Sequence, residues 1–264
     1  MRAGEADIDG VVARLRAAGC VFAEDEARLL VEAAGSGVDL DRLVERRVGG
    51  SPLEQILGWA EFRGLRLSVE PGVFVPRRRS GLLVDLALGA VRPGSVVLDL
   101  CCGVGALAAA IEGEVDHGVD VFAADIDPAA VRCARRNVSR DERVFEGDLF
   151  GALPVHLRGR IDVIAVNAPY VPTDEIRHMP PEARDFEARV ALDGGGDGLD
   201  MHRRVAAEVV DWLTPGGLLF IETSSVQAER TRALFADSGF DARIQTDDHL
   251  DATAVAARAP AHRS

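Results

Sequence analysis

From Ser95 onward, short apolar runs alternate with amphipathic stretches. Strands are expected at 95–100, 120–126, 143–148, 161–167 and 217–223. Helices are expected between them, near 106–112, 128–139 and 200–213. Uniformly apolar strands separated by helices predict a mostly parallel sheet covered on both faces. A helix over 225–237 follows, and then segments 242–247 and 252–258 form an expected closing pair of antiparallel strands. Upstream the period changes. Val11, Val12, Leu15 and Ala18 recur at helical spacing, as do Ala27, Leu30 and Val31, so residues 8–48 are expected to be helical. Asp39 is placed to cap a further helix ending near Gly49-Gly50. Phe62, Leu65, Leu67, Val69, Val73 and Val75 stand among the turn residues Gly64 and Pro71-Gly72, which predicts a hairpin. A helix from about Ser80 to Ala90 and a break at Pro93-Gly94 lead into the main domain. The expected organisation is a helical lobe at 1–58, a hairpin linker at 59–79 and an α/β domain at 80–264.

The 264 residues suit one large domain with a small companion. A formal net charge of −13 argues against a general binder of nucleic acid or of membrane surfaces. Every basic side chain is arginine, and Arg77-Arg78-Arg79 is the densest local basic stretch. Glu5, Asp7 and Asp9 break up the N-terminus, so a signal peptide is not expected there. No 18-residue apolar run suggests a membrane span, and the expected setting is cytoplasmic. Cys20, Cys101, Cys102 and Cys133 lack zinc-site spacing and are expected to be small buried thiols. His117, His156, His178, His202, His249 and His262 are scattered, so they are expected to be solvated, and no metal site is expected.

Val96 to Leu100 is an apolar strand interrupted by Asp99, and it runs into Cys101-Cys102-Gly103-Val104-Gly105. Glycines in such a loop let a ligand approach the backbone closely. Asp125 ends the next strand, 20 residues after Gly105, where a carboxylate can accept both ribose hydroxyls. Ile126 follows it, and Asp148-Leu149 ends the third strand, where an adenine edge can be met. Asp127 precedes Pro128 and is expected to cap a helix instead of joining the site. Gly103-x-Gly105-x-x-Ala108 also satisfies the dinucleotide fingerprint, so a nicotinamide dehydrogenase competes. Against it, the loop lies about ninety residues into the chain. Asp99 would also repel a pyrophosphate, whereas it suits the cationic amino group of a methionine moiety.

The fourth strand ends in Asn167-Ala168-Pro169-Tyr170. Asn and Pro are common turn formers, and a plain tight turn is the structural alternative. The position, beyond the carboxyl end of a central strand, favours a ligand role. An amide nitrogen is a poor nucleophile because its lone pair is delocalised, so a site that alkylates it must hold it in line. Asn167 can accept one N–H on its side-chain oxygen, the Ala168 carbonyl can accept the other, and Tyr170 can stack on the amide plane. Positioning of this kind supplies up to ~7–11 kcal/mol. Pro169 biases Ala168 toward extended angles, which fixes where that carbonyl points. No general base is required before transfer.

These motifs resemble the HemK/PrmC-type protein-glutamine methyltransferases over about residues 51–260. The resemblance is carried also by Pro52-Leu53-Glu54-Gln55-Ile56-Leu57-Gly58, Glu61-Phe62-Arg63-Gly64-Leu65 and Pro71-Gly72-Val73-Phe74-Val75-Pro76-Arg77. Phe186-Glu187, Ala191-Leu192-Asp193-Gly194-Gly195, Asp197-Gly198-Leu199-Asp200 and Leu213-Thr214-Pro215-Gly216-Gly217 extend it. It implies a seven-stranded Rossmann-like class I methyltransferase sheet behind a helical N-terminal lobe. It implies S-adenosyl-L-methionine held by Asp99, the loop Cys101, Cys102, Gly103, Val104 and Gly105, Asp125, Ile126, Asp148, Leu149 and Asn167. The acceptor would be a protein glutamine, on a release-factor-like or ribosomal-protein-like target, at Asn167, Ala168, Pro169 and Tyr170. Separately from the resemblance, a monomer is expected. The family motif usually reads Asn-Pro-Pro-Tyr, and this chain is similar to a branch with Ala in the second place and no assigned substrate. Cys101 replaces a glycine, and Arg78, Arg79, Ser80 and Gly81 replace Pro, an acid, Thr and Glu. Competing readings are a nucleic-acid exocyclic-amine methyltransferase, whose Tyr170 would stack on a flipped base, and a catalytically inactive cofactor-binding module.

Overall fold

The computed structural model describes residues 8–35, 38–116 and 118–261. Glu5, Asp7, His117 and His262 lie outside the described residues. Helices α1 (Ile8–Ala17), α2 (Ala23–Ala34), α3 (Leu40–Val48) and α4 (Leu53–Leu57) build the lobe. Asp39 caps α3 as expected, its carboxylate accepting the Asp41 N–H at 3.0 Å. The lobe has its own core around Leu15, Ala27, Leu30, Leu43 and Val44. Strands β1 (Trp59–Phe62) and β2 (Leu65–Ser68) form the antiparallel hairpin, shorter than the 59–75 pattern suggested. Beyond Ser68 the chain bridges elsewhere, Gly72 pairing with Glu187.

After a 3-10 turn (Arg78–Ser80) and α5 (Gly81–Ala90) comes the main sheet. In chain order it contains β3 (Val96–Leu100), α6 (Ala106–Glu114), β4 (Asp120–Asp125), α7 (Pro128–Asn137), β5 (Val144–Glu146) and β6 (Ile161–Val166). Then come α8 (Pro181–Phe186), α9 (Asp200–Glu208), β7 (Leu213–Thr223), α10 (Ala228–Asp237), β8 (Asp241–Asp247) and β9 (Ala252–Arg258). The seven-stranded order is β5-β4-β3-β6-β7-β9-β8. The first five are parallel, and β9 runs antiparallel to both neighbours. Alternation along each strand divides the core. Val97 and Val163 pack with α5, α6, α7 and the hairpin, while Leu98 and Ile164 pack with Val205, Phe235 and Phe240 on the other face.

Two boundaries differ from the pattern. The helix expected over 200–213 ends at Glu208, and β7 starts at Leu213, because Thr214-Pro215-Gly216-Gly217 is absorbed into the strand at a register shift against Ile161 and Val163. The strand expected over 143–148 is confined to Val144–Glu146, with Asp148 beyond it at the start of a 3-10 turn (Leu149–Ala152). Among the described residues no helix is long and apolar enough to cross a membrane.

Candidate active site

β3 pairs with β4 on one side and with β6 on the other, so the sheet reverses its winding there. Leu100 stands opposite Val166, and the loops that follow β3 and β6 leave side by side. The crevice at such a reversal is where open α/β sheets bind ligands. It holds a cavity of about 230 Å³ lined by Asp99, the 101–104 loop, Asp125, Ile126, Asp148, Leu149 and Asn167 to Tyr170, with Arg79 and Ser80 alongside. Gly105 opens α6 just behind that wall.

The glycine loop divides its work. Gly103 has a φ of 54°, and a Cβ there would meet open space, which leaves its backbone approachable. Gly105 has a φ of 77°, and a Cβ there would press on Ala134 of α7 at 3.1 Å, so it serves packing. Cys101 adopts a left-handed φ of 58°, a conformation that favours glycine. Burial pushes the Cys101 and Cys102 thiols well up, and both stay protonated and unreactive at neutral pH.

Asp99 is fully buried. Its Oδ2 accepts the Ala108 N–H at 3.0 Å, while Oδ1 has no partner among the described residues. Burial pushes its carboxyl up to about 7, against the pull of that N–H and with a push from Asp125. An orphaned buried carboxylate oxygen on a ligand cavity is a place for a cation, and the ammonium of a methionine moiety fits it. Asp125 accepts Gly103 N–H on Oδ2 at 2.8 Å and Asp127 N–H on Oδ1 at 2.9 Å. Each oxygen keeps a second lone pair, so two ribose hydroxyls can still be met. Burial raises its pKa in the absence of such donors. Ile126 is half exposed on the cavity wall, an apolar surface suited to a purine face. Asp148 is turned toward α9, its Oδ2 accepting from Arg204 Nη2 at 2.7 Å. Asp127 caps α7 as expected, through the Ala129 N–H at 2.8 Å, and it also lines the cavity.

On the opposite wall the Asn167 Nδ2 donates to Ser80 Oγ at 3.0 Å. The Ala168 carbonyl receives no hydrogen bond from the described residues. Tyr170 donates its hydroxyl to Glu222 Oε1 at 3.0 Å, and its ring lies 6.4 Å from that of His202. Its backbone is clamped by the 192–200 segment. Val171 N–H donates to Leu192 O at 3.1 Å, Gly194 N–H to Val171 O at 2.8 Å, and Gln227 Nε2 to Tyr170 O at 2.9 Å.

The sequence reading missed two groups. Glu222 is buried at the end of β7 and also accepts from Ser80 Oγ at 2.6 Å and Arg79 Nε at 3.0 Å. A charge ending the apolar run Leu218 to Ile221 is the same signal that marked Asp99 and Asp125. His202, expected to be solvated, is fully buried, its Nδ1 3.1 Å from Thr231 Oγ1, and burial lowers its pKa to about 4. Its charged neighbours Asp200, Arg203 and Arg204 obscured it, although Val205, Ala206 and Val209 share its helical face. His156, His178 and His249 are exposed as expected.

A parallel sheet closed by an antiparallel strand pair, with a glycine loop and acidic strand ends at its switch point, defines a class I S-adenosylmethionine-dependent methyltransferase. The methyltransferase small domain family matches residues 65–197. A release factor glutamine methyltransferase of Geobacter sulfurreducens is 38% identical over 201 residues, covering 75% of this chain and 69% of that protein. The 4-amino-L-phenylalanine/4-methylamino-L-phenylalanine methyltransferase of Streptomyces pristinaespiralis is 35% identical over 204 residues, covering 74% and 69%. A methyltransferase structure from Pyrococcus furiosus shares the fold at a TM-score of 0.54 and 20% identity, over 74% of this chain and 89% of the other. The chain belongs to the release factor glutamine methyltransferase family, of the HemK/PrmC type.

Proposed function

We propose that this enzyme methylates the side-chain amide nitrogen of a glutamine in a translation-related protein, working as a monomer. One observation carries the reading. Two acceptors, Asn167 Oδ1 and the Ala168 carbonyl, stand unspent on adjacent residues of the cavity wall, beside an aromatic ring. That set matches the two N–H donors and the flat face of a primary amide. The name of the Geobacter relative supports the target class.

When bound, S-adenosyl-L-methionine supplies the electrophilic methyl group. Asp99 would hold its ammonium, Asp125 its ribose, and Ile126 with Leu149 its base. Asn167 and Ala168 would take one amide N–H each and turn the nitrogen toward the glycine-loop side. Tyr170 would hold the amide plane, its hydroxyl pinned by Glu222. One of the two held protons leaves to water once nitrogen carries the methyl group. Phe74, Pro76 and Leu192 give the cavity wall an apolar stretch, and exclusion of water from it by the bound substrate would strengthen both hydrogen bonds.

The test begins with calorimetric binding of S-adenosyl-L-methionine, with NAD as control. Labelled cofactor is then incubated with cell extract and the methyl group is located by mass spectrometry. Label on a glutamine side chain supports the reading, and Asn167→Ala should lose turnover about 100-fold while binding cofactor nearly as well as the parent enzyme. Label on a small arylamine would replace it by a second reading, favoured by the Streptomyces relative, since an aniline nitrogen is also planar and conjugated. Label on RNA or DNA would revive base methylation, and cofactor binding without any labelled acceptor would leave a binding module.

A further inference from the structure

We infer that Glu222 is a positioning residue that sets the polarity of a one-way hydrogen-bond chain, so that Asn167 presents oxygen to the acceptor and not its NH2. The inference rests on the amide-clamp reading above. Glu222 is a carboxylate paired with Arg79, its Oε1 accepting from Arg79 Nε and from the Tyr170 hydroxyl, each at 3.0 Å. Its Oε2 is 2.6 Å from Ser80 Oγ. A carboxylate can only accept, so Ser80 must spend its single proton there. Ser80 Oγ then has lone pairs alone to offer Asn167 at 3.0 Å. Of the two ends of the Asn167 amide, Nδ2 alone can answer a lone pair, which leaves Oδ1 for the cavity. Asn167 by itself has no such preference, because its two ends are nearly the same size. The direction is imposed by a residue 142 positions from Ser80 in the chain.

Glu222→Gln tests this with almost no change of shape. Arg79 and Tyr170 are donors, and they hold the glutamine oxygen. The new NH2 then donates to Ser80 Oγ, the Ser80 proton turns to Asn167 Oδ1, and Asn167 Nδ2 faces the acceptor. Every bond in the reversed chain is satisfied, so it resists reversion. Restoring the productive direction sacrifices one or two hydrogen bonds, which corresponds to roughly 10- to 100-fold in turnover. Ser80→Ala removes the relay altogether and lets the bound amide choose the Asn167 orientation, so its loss should be only about 3-fold. Removing Ser80 in the Glu222→Gln background should therefore restore activity to about the Ser80→Ala level.

The experiment measures kcat on the acceptor identified by labelling, cofactor affinity by calorimetry, and the side-chain amide resonances of Asn167 by NMR without acceptor. The expected result is kcat reduced in the order Glu222→Gln far below Ser80→Ala, recovery in the double variant, and cofactor affinity within about 2-fold throughout. Ser80→Thr, which keeps the hydroxyl, should keep the Asn167 NH2 hydrogen bond in the NMR spectrum and lose less turnover than Glu222→Gln. A double variant no better than Glu222→Gln would overturn the inference, as would a Glu222→Gln enzyme within 2-fold of the parent. If no glutamine acceptor is found, the amide reading fails separately. The NMR arm still decides polarity, since an Asn167 NH2 hydrogen-bonded in the parent should lose that signature in Glu222→Gln.

Discussion

Asp99 shows how one carboxylate couples protonation to ligand binding. Its raised pKa has a definite sign for stability. The folded state holds the proton more tightly than the unfolded chain does. Asp99 therefore favours folding increasingly as pH falls through about 7 toward the ordinary carboxyl range, and its burial penalty is fully present above 7. A bound ammonium needs the ionised form. Cofactor affinity should therefore weaken below pH 7, approaching tenfold per pH unit, with one proton released on binding. Calorimetry in buffers of different ionisation enthalpy measures that proton directly. Asp99→Asn should bind more weakly at pH 8 and lose this part of the dependence. An unchanged parental affinity from pH 5.5 to 8 would remove Asp99 from the ammonium site.

Between elements, the precision of the acceptor wall depends on backbone packed on backbone. Gly194 sits so close to Tyr170 that an added Cβ would lie 2.8 Å from the Tyr170 Cα. Gly198, at a φ of 77°, leaves no room at all, since a Cβ would overlap the Tyr170 carbonyl oxygen and the Gln227 side chain. Gly198→Ala should thus lower stability by about 1–3 kcal/mol and displace Tyr170. A shift of that kind costs up to roughly 100-fold in turnover. Gly196→Ala is the matched control, because its Cβ meets nothing within 4 Å. Thermal melts and kcat measured on both variants check the point, and equal activity of the two would show that the segment does not support Tyr170. The run Asp193 to Asp200 could be recognised from sequence as distinctive, but its glycines could not be assigned to Tyr170, because proximity across a fold leaves no local period. The strands were legible for the opposite reason. An apolar run ending in an acid or in Asn-Ala-Pro-Tyr carries its own direction, so Asp125 and Asn167 could be placed at strand ends. The Asp39 and Asp127 caps are equally local. Glu222 had the strand-end signal yet no partner in view, since Ser80 and Arg79 meet it only through the sheet order.

At the scale of the molecule, a buried side chain of the helical lobe ties it to the acceptor wall. Gln55 of α4 donates Nε2 to the carbonyls of Val73 at 3.0 Å and Phe186 at 3.1 Å, and its Oε1 accepts the Gly72 N–H at 3.1 Å. The two segments it joins run directly into the wall, one to Phe74, Pro76 and Arg77, the other to Val190, Ala191 and Leu192. They are sewn again by Glu187, which accepts from Val75 N–H at 3.2 Å and from Arg77 at 2.5 Å. Arg47 adds ion pairs to Glu26 and Glu182, each at 2.6 Å. None of these groups touches the Asp99–Asp125 half of the cavity, which hangs from β3 and β4 instead. The two halves should therefore separate under mutation. Gln55→Leu keeps the bulk and strips three backbone partners, at a cost of roughly 1–3 kcal/mol for each group left dry. It should raise KM for the protein acceptor about 10-fold or more, through a loosened wall, while cofactor affinity stays within about 2-fold. Parallel measurement of acceptor KM and cofactor affinity decides it. If both worsen together, the lobe supports the whole crevice, and substrate choice cannot be assigned to the wall that Gln55 holds.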